Sequence, residues 1–265
     1  LKYFIGWDVG GWNCKANPNS RDAIVILDNA RNLIGDPWRG NLRKTINKAN
    51  SSEEFVSILF ELCNATYDAF NVKQVLLSID TPLGFSQALI DLLVNKQFIG
   101  EVEDSASNGY LYRYTERFLF RCGLKPLSPI KDMIGSQATK GMHALSKFAP
   151  DIKSCGVWSD GDKLLAIEAY PSACKNSEVM NELISPFVIA KYYEYDSDKE
   201  IRQYVAGLDN SDKYDALVCA LVGWLQLNDS KKVIQADLDT PDSEGWIFVP
   251  VDALNKGFPL LVRDN

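Results

Sequence analysis

The chain has 265 residues, 46% of them hydrophobic and 24% charged, with a net charge of −7 and a pI near 4.9. That length supports one large domain, or a main domain with insertions, around a substantial core. No apolar run approaches the roughly 18 residues that span a bilayer, and the acidic balance argues against tight non-specific binding of nucleic acid.

The opening LKYFIGWDVG is too short and wrongly flanked for a signal peptide, so a cytoplasmic location is expected. Six cysteines stand far apart without CxxC spacing, mostly inside apolar stretches, which predicts reduced thiols rather than disulfides or a structural zinc site.

Residues 3–8 form a short apolar strand, and DAIVILD (22–28) reads as its hairpin partner across a polar loop holding Asn17, Pro18 and Asn19. NLIGDPWRG supplies a third strand that Pro37 stops. Ser51 or Ser52 ahead of Glu53 and Glu54 signals a helix, and Phe55, Ile58, Leu59 and Leu62 follow at helical spacing. QVLLSID (74–80) is continuously apolar, as in a strand covered on both faces.

A helix is expected at about 86–96 and a polar surface loop at 97–109. An aromatic helix then begins near Tyr110, and another spans 136–148. KLLAIEAYP (163–171) is the next strand, and residues 178–207 read as helical with a break near Pro186. Asp212 opens a helix carrying Ala216, Leu217, Ala220, Leu221 and Trp224, and GWIFVP (245–250) closes the series as a short strand. This order predicts an α/β protein with a mixed sheet flanked by helices, as in a ribonuclease H-like core. A single domain over 1–250 would hold a helical insertion at about 97–160, and 251–265 would be a C-terminal extension.

Four apolar segments end on carboxylates: FIGWD at Asp8, VLLSID at Asp80, LLAIE at Glu168 and SDKYD at Asp215. An acid behind an apolar strand costs desolvation energy unless a cation stands nearby, and hard divalent ions take oxygen ligands. Asp8 and Asp80 also suit turn or Asx-capping roles. Asp212 shares a helix face with Asp215 and is either a further ligand or the helix cap. If the acids converge, two magnesium or manganese ions about 4 Å apart would activate water against a phosphodiester.

Gly10 and Gly11 beside Asp8 would let backbone approach a ligand. Arg113, Arg117 and Arg121 recur every fourth residue among tyrosines and phenylalanines, either as a phosphate and base contact or as a solvated helix face. His143 is assigned no role.

Five segments occur in a telling order: WDVGGW (7–12), DTPLG (80–84), GSQA (135–138), EAYP (168–171) and DKYDA (212–216), followed by EGWIFVP. Together they resemble the predicted ribonuclease H-like nucleases catalogued as domain of unknown function 429, over residues 4 to about 250. The resemblance implies a magnesium-dependent nuclease with Asp8, Asp80, Glu168 and Asp215 as metal ligands and nucleic acid as partner. This chain departs from the family in its shorter turn after Asp8 and in IGSQ, which lacks one residue of the Gly-x-Ser segment.

DVGGWNCK (8–15) also resembles the first phosphate loop of actin-like sugar kinases, with Trp12 where Thr is expected, which implies an ATP-dependent small-molecule kinase. A non-catalytic ribonuclease H-like binding scaffold is the third alternative.

Overall fold

Residues 1–17, 20–105, 107–193 and 200–254 are described by a computed structural model. Three strands open the chain: β1 (Lys2–Asp8), β2 (Asp22–Asp28) and β3 (Trp38–Gly40). Helices α1 (Arg43–Lys48) and α2 (Ser52–Leu62) lead to β4 (Gln74–Asp80). Then come α3 (Gln87–Asn95), α4 (Tyr114–Arg121) and α5 (Gly135–Phe148), followed by β5 (Asp151–Ser154), β6 (Val157–Ser159) and β7 (Leu164–Ala169). The remainder holds α6 (Pro171–Cys174), α7 (Glu178–Ile184), β8 (Val188–Tyr193), β9 (Glu200–Tyr204), α8 (Ser211–Asn228) and β10 (Ile247–Phe248).

The main sheet runs β3-β2-β1-β4-β7-β6-β5, with β10 also paired to β7. Strand β2 is antiparallel to both β1 and β3, whereas β4 runs parallel to β1 and β7 parallel to β4. An antiparallel three-strand meander extended by parallel strands is the ribonuclease H-like arrangement, as the order of elements predicts.

Both faces of the sheet are covered because β1 and β4 are apolar at odd and even positions alike. Phe4, Leu76, Leu165 and Ile167 pack toward α8 in one buried cluster. Ile5, Trp7, Leu77 and Ile79 pack in the other, with Phe55, Leu59 and Phe60 of α2 and Leu145 and Phe148 of α5.

Helix α8 crosses β1 at backbone contact. A Cβ added at Gly6 would lie 1.7 Å from the Ala216 carbonyl oxygen, so only glycine fits there. The small-residue run from Ala216 to Ala220 completes this close approach.

Several elements differ from the sequence expectation. The third strand follows Pro37 rather than preceding it, because proline has no N–H for the ladder, and Leu33 makes only an isolated bridge to Leu27. The insertion at 97–160 is not wholly helical: β5 and β6 form an antiparallel pair that extends the sheet beyond β7. Helix α4 begins at Tyr114 rather than near Tyr110. Helix is absent from most of 188–204, where β8 and β9 pair antiparallel, since the β-branched and aromatic residues of VIAKYY suit a strand. The expected helix across 194–199 lies outside the described residues, as do Pro18 and Asn19 of the first loop. The C-terminal extension begins with a 3-10 turn at Val251–Ala253, and its residues 255–265 lie outside the described residues. All six cysteines are free thiols and five are buried. No helix among the described residues is long and apolar enough to cross a membrane.

Candidate active site

Strand parity fixes which acids meet. Asp8 and Asp80 are register partners at the carboxyl ends of β1 and β4. They continue the faces of Phe4–Gly6 and Leu76–Ser78, which α8 covers. Asp215 lies in the second turn of α8, and the crossing at Gly6 brings it over the same edge. All three carboxylates are partly exposed, and among the described residues none of them accepts a hydrogen bond or forms an ion pair.

Burial and crowding raise the pKa of all three. Burial, then the charges of Asp80, Asp215, Asp212 and Asp22, pushes the Asp8 carboxyl well above the ordinary carboxylate range. Burial, followed by Asp215 and Glu168, lifts Asp80 to about 8. For Asp215 the value is about 6: burial raises it, Lys175 pulls it down and Asp212 adds to the rise. Three desolvated acids that repel one another, with hard oxygen donors and no protein cation bridging them, fit a divalent ion chemically. They are not a closed shell, for no group of three or more His, Cys, Asp or Glu side chains among the described residues is drawn together as a ready-made metal site.

The other two acids named as ligands are engaged elsewhere. Glu168 pairs in register with Ile79, not Asp80, so parity turns it to the opposite face. There its Oε1 accepts from Arg113 Nη2 at 2.7 Å, while its Oε2 accepts from Arg113 Nη1 and the Leu83 N–H, both at 2.8 Å. Asp212 accepts from Arg39 Nε at 2.6 Å and from the Arg21 N–H at 3.1 Å. The α8 cap is Asn210, whose side chain accepts the Asp212 N–H.

The arginine stripe does not form. Arg113 precedes α4 and is fully buried, joined to Glu116 as well as Glu168. It therefore cannot meet a substrate. Its burial follows from the two carboxylates, since an unpaired charge at that depth would be prohibitive. Arg117 is half-buried, with a buried Nε that has no hydrogen-bond partner among the described residues, whereas Arg121 is exposed with its guanidinium 6.0 Å from the Phe118 ring centre.

Gly10 and Gly11 are also committed internally. The Gly10 N–H donates to Asp22 Oδ1 at 3.0 Å and the Trp12 N–H donates to Ser136 Oγ at 3.0 Å. A Cβ on Gly10 would lie 2.8 Å from the Arg21–Asp22 backbone, and one on Gly11 would lie 2.9 Å from Ser136 Oγ. Packing, rather than a ligand, requires these glycines, and the two amides are not free to cradle a phosphate as a kinase loop would.

What holds this loop is a buried ion pair that the sequence reading passed over. Asp22 and Lys140 are both fully buried and paired, and Asp22 also accepts from Trp7 Nε1 at 3.1 Å and the Leu42 N–H at 2.6 Å. Lys140 Nζ donates to the Gly10 carbonyl at 3.1 Å. A signal was present: Lys140, Ala144 and Phe148 are spaced by four, placing a lysine on an apolar helix stripe.

The segments spaced along the sequence also meet in space. Trp12 Nε1 donates to Thr139 Oγ1 beyond GSQA, and DTPLG lies against EGWIFVP, where a Cβ on Gly84 would sit 2.3 Å from the Glu244 carbonyl oxygen. Glu244 accepts the Gln87 N–H at the start of α3. These contacts frame a crevice of about 350 Å³ lined by Asp8, Asp80, Thr81, Glu168, Tyr170 and Ser172 among others. Thr81 is buried, and its Oγ1 has no partner among the described residues.

No protein-family model matches the chain, and neither does any curated protein or solved structure.

Proposed function

We propose that this chain hydrolyses phosphodiesters of nucleic acid with magnesium or manganese held by Asp8, Asp80 and Asp215. One observation carries the reading: Asp8 and Asp80, at two parallel strand ends, share a crevice, the charge of Asp215 on the helix above raises the pKa of both, and none of the three forms an ion pair among the described residues. A bound divalent cation would supply an acidified water and stabilise charge on the leaving oxygen.

The chain's own residues set when that site is competent. Asp80, at about 8, holds its proton near neutral pH and Asp215, at about 6, sheds its own below it, so cation binding must displace the Asp80 proton at neutral pH and both protons in mild acid. Metal affinity, and cleavage with it, therefore rises with pH through that window. Glu168 is a positioning residue on this reading. Clamped by Arg113 and the Leu83 N–H, it fixes the turn after Asp80 and adds negative potential beneath it.

The test is cleavage of single-stranded, duplex and hybrid nucleic acids by purified wild type and Asp8→Asn with magnesium or manganese. Asn keeps the size and one oxygen but loses the charge, so cleavage should vanish while the fold holds. Equal cleavage by both proteins would remove the catalytic assignment.

A further inference from the structure

Helix α6 is a wall shared by two hollows. Tyr170 and Ser172 line the carboxylate crevice, whereas Pro171, Cys174 and Lys175 line a second cavity of about 320 Å³. That second cavity is closed by Asn181 of α7, Tyr204 of β9 and Tyr214 of α8. The Tyr204 and Tyr214 rings lie 4.9 Å apart, inclined at 51°, and both are partly exposed. Lys175 is exposed, makes no ion pair among the described residues, and still acts on Asp215, one residue beyond Tyr214. Asn181 is exposed, and its side-chain amide makes no hydrogen bond among the described residues.

We propose that this second cavity is a subsite for one unpaired nucleotide of a nucleic-acid strand, its base against Tyr204 and Tyr214 and its phosphate on Lys175. The proposal rests on the phosphodiesterase reading for what fills the neighbouring crevice. An aromatic pair accepts any base by its π-face, an ammonium takes the backbone charge, and an amide can meet the base edge as donor and acceptor. A base inside a duplex is already stacked on its neighbours, so the subsite selects single strands or unpaired ends. The short wall places that nucleotide directly beside Asp215, so the subsite sets which linkage of the strand reaches the carboxylates.

The experiment measures binding of fluorescein-labelled single-stranded and duplex oligonucleotides by anisotropy, in EDTA, with the full chain. Variants are Tyr204→Leu, Lys175→Gln and, as a charge-matched control, Lys73→Gln, which lies next to the opposite end of β4. Thermal melts accompany each. Loss of one stacking partner should weaken single-strand binding roughly tenfold or more in Tyr204→Leu. Lys175→Gln should weaken it too, with a shallower dependence on salt by about one counterion, while Lys73→Gln changes little. If Tyr204→Leu fails to fold, Lys175→Gln against Lys73→Gln decides.

Unchanged affinity in Tyr204→Leu, equal losses in the two lysine variants, tighter binding of duplex, or no binding by wild type would each overturn the subsite. Cleavage in magnesium is scored separately. Absent cleavage with a binding loss in the variants would remove the hydrolase reading and keep the subsite, and the reverse pattern would do the opposite.

Discussion

Replacing Asp80 by Asn should stabilise the cation-free protein, and increasingly so as pH rises. A carboxyl at about 8 in the fold and near 3.8 in the open chain binds its proton more tightly when folded. Its contribution is therefore intact below about pH 4 and is lost progressively as pH climbs toward 8. The separation of about 4 pH units corresponds to at most about 6 kcal/mol, at about 1.4 kcal/mol per unit. Solvent in the crevice and relaxation of its neighbours reduce that to about 2 kcal/mol at pH 9. For a chain of this size about 2 kcal/mol is a Tm rise of roughly 4–8 °C. The assay is a series of thermal melts of wild type and Asp80→Asn in EDTA from pH 5 to 9. The two proteins should converge toward the acidic end and diverge toward the basic end. A Tm difference that does not vary with pH would refute the reasoning, since it would show that Asp80 is not a crowded acid.

Millimolar magnesium or manganese should raise the wild-type Tm at pH 8 by binding the folded state alone, and Asp8→Asn should lose most of that gain; an unmoved wild-type melt would count against a formed site. Glu168→Gln should instead cost about 3–5 kcal/mol in urea unfolding, because Arg113 would be left buried with only Glu116 for charge compensation. Stability within about 0.5 kcal/mol of wild type would show that the clamp is dispensable. Gly6→Ala should destabilise by about 3 kcal/mol or more and lower magnesium affinity, since α8 must lift from β1 to admit the methyl group; a wild-type melt would contradict the backbone contact at Ala216.

The strand ends bearing Asp8 and Asp80 were legible in sequence because each finishes a continuous apolar run, and the start of α8 because Asp212 introduces helical spacing. The role of Glu168 was not. LLAIE looks like VLLSID, yet the two strands pair with Ile79 beside Glu168, a register set by the whole sheet rather than by either segment. Arg113 misled for a related reason: its spacing with Arg117 and Arg121 is helical, but its partners Glu168 and Glu244 lie 55 and 131 residues away. The β8–β9 pair was hidden because mixed apolar and charged residues satisfy strand and helix periods over so short a span.

The contact between Gly6 and the Ala216 carbonyl joins two pieces of main chain with no side chain between them. A joint of that kind has little give: strand and helix shift together or not at all. The separation of Asp8 from Asp215 is thus fixed by the thickness of a peptide group, much as a hinge pin fixes two leaves. It follows that wide drift in the surrounding core could repack both faces of the sheet without altering the reach between those carboxylates. The acids at this edge are in this way held by main chain rather than by the side chains packed around them.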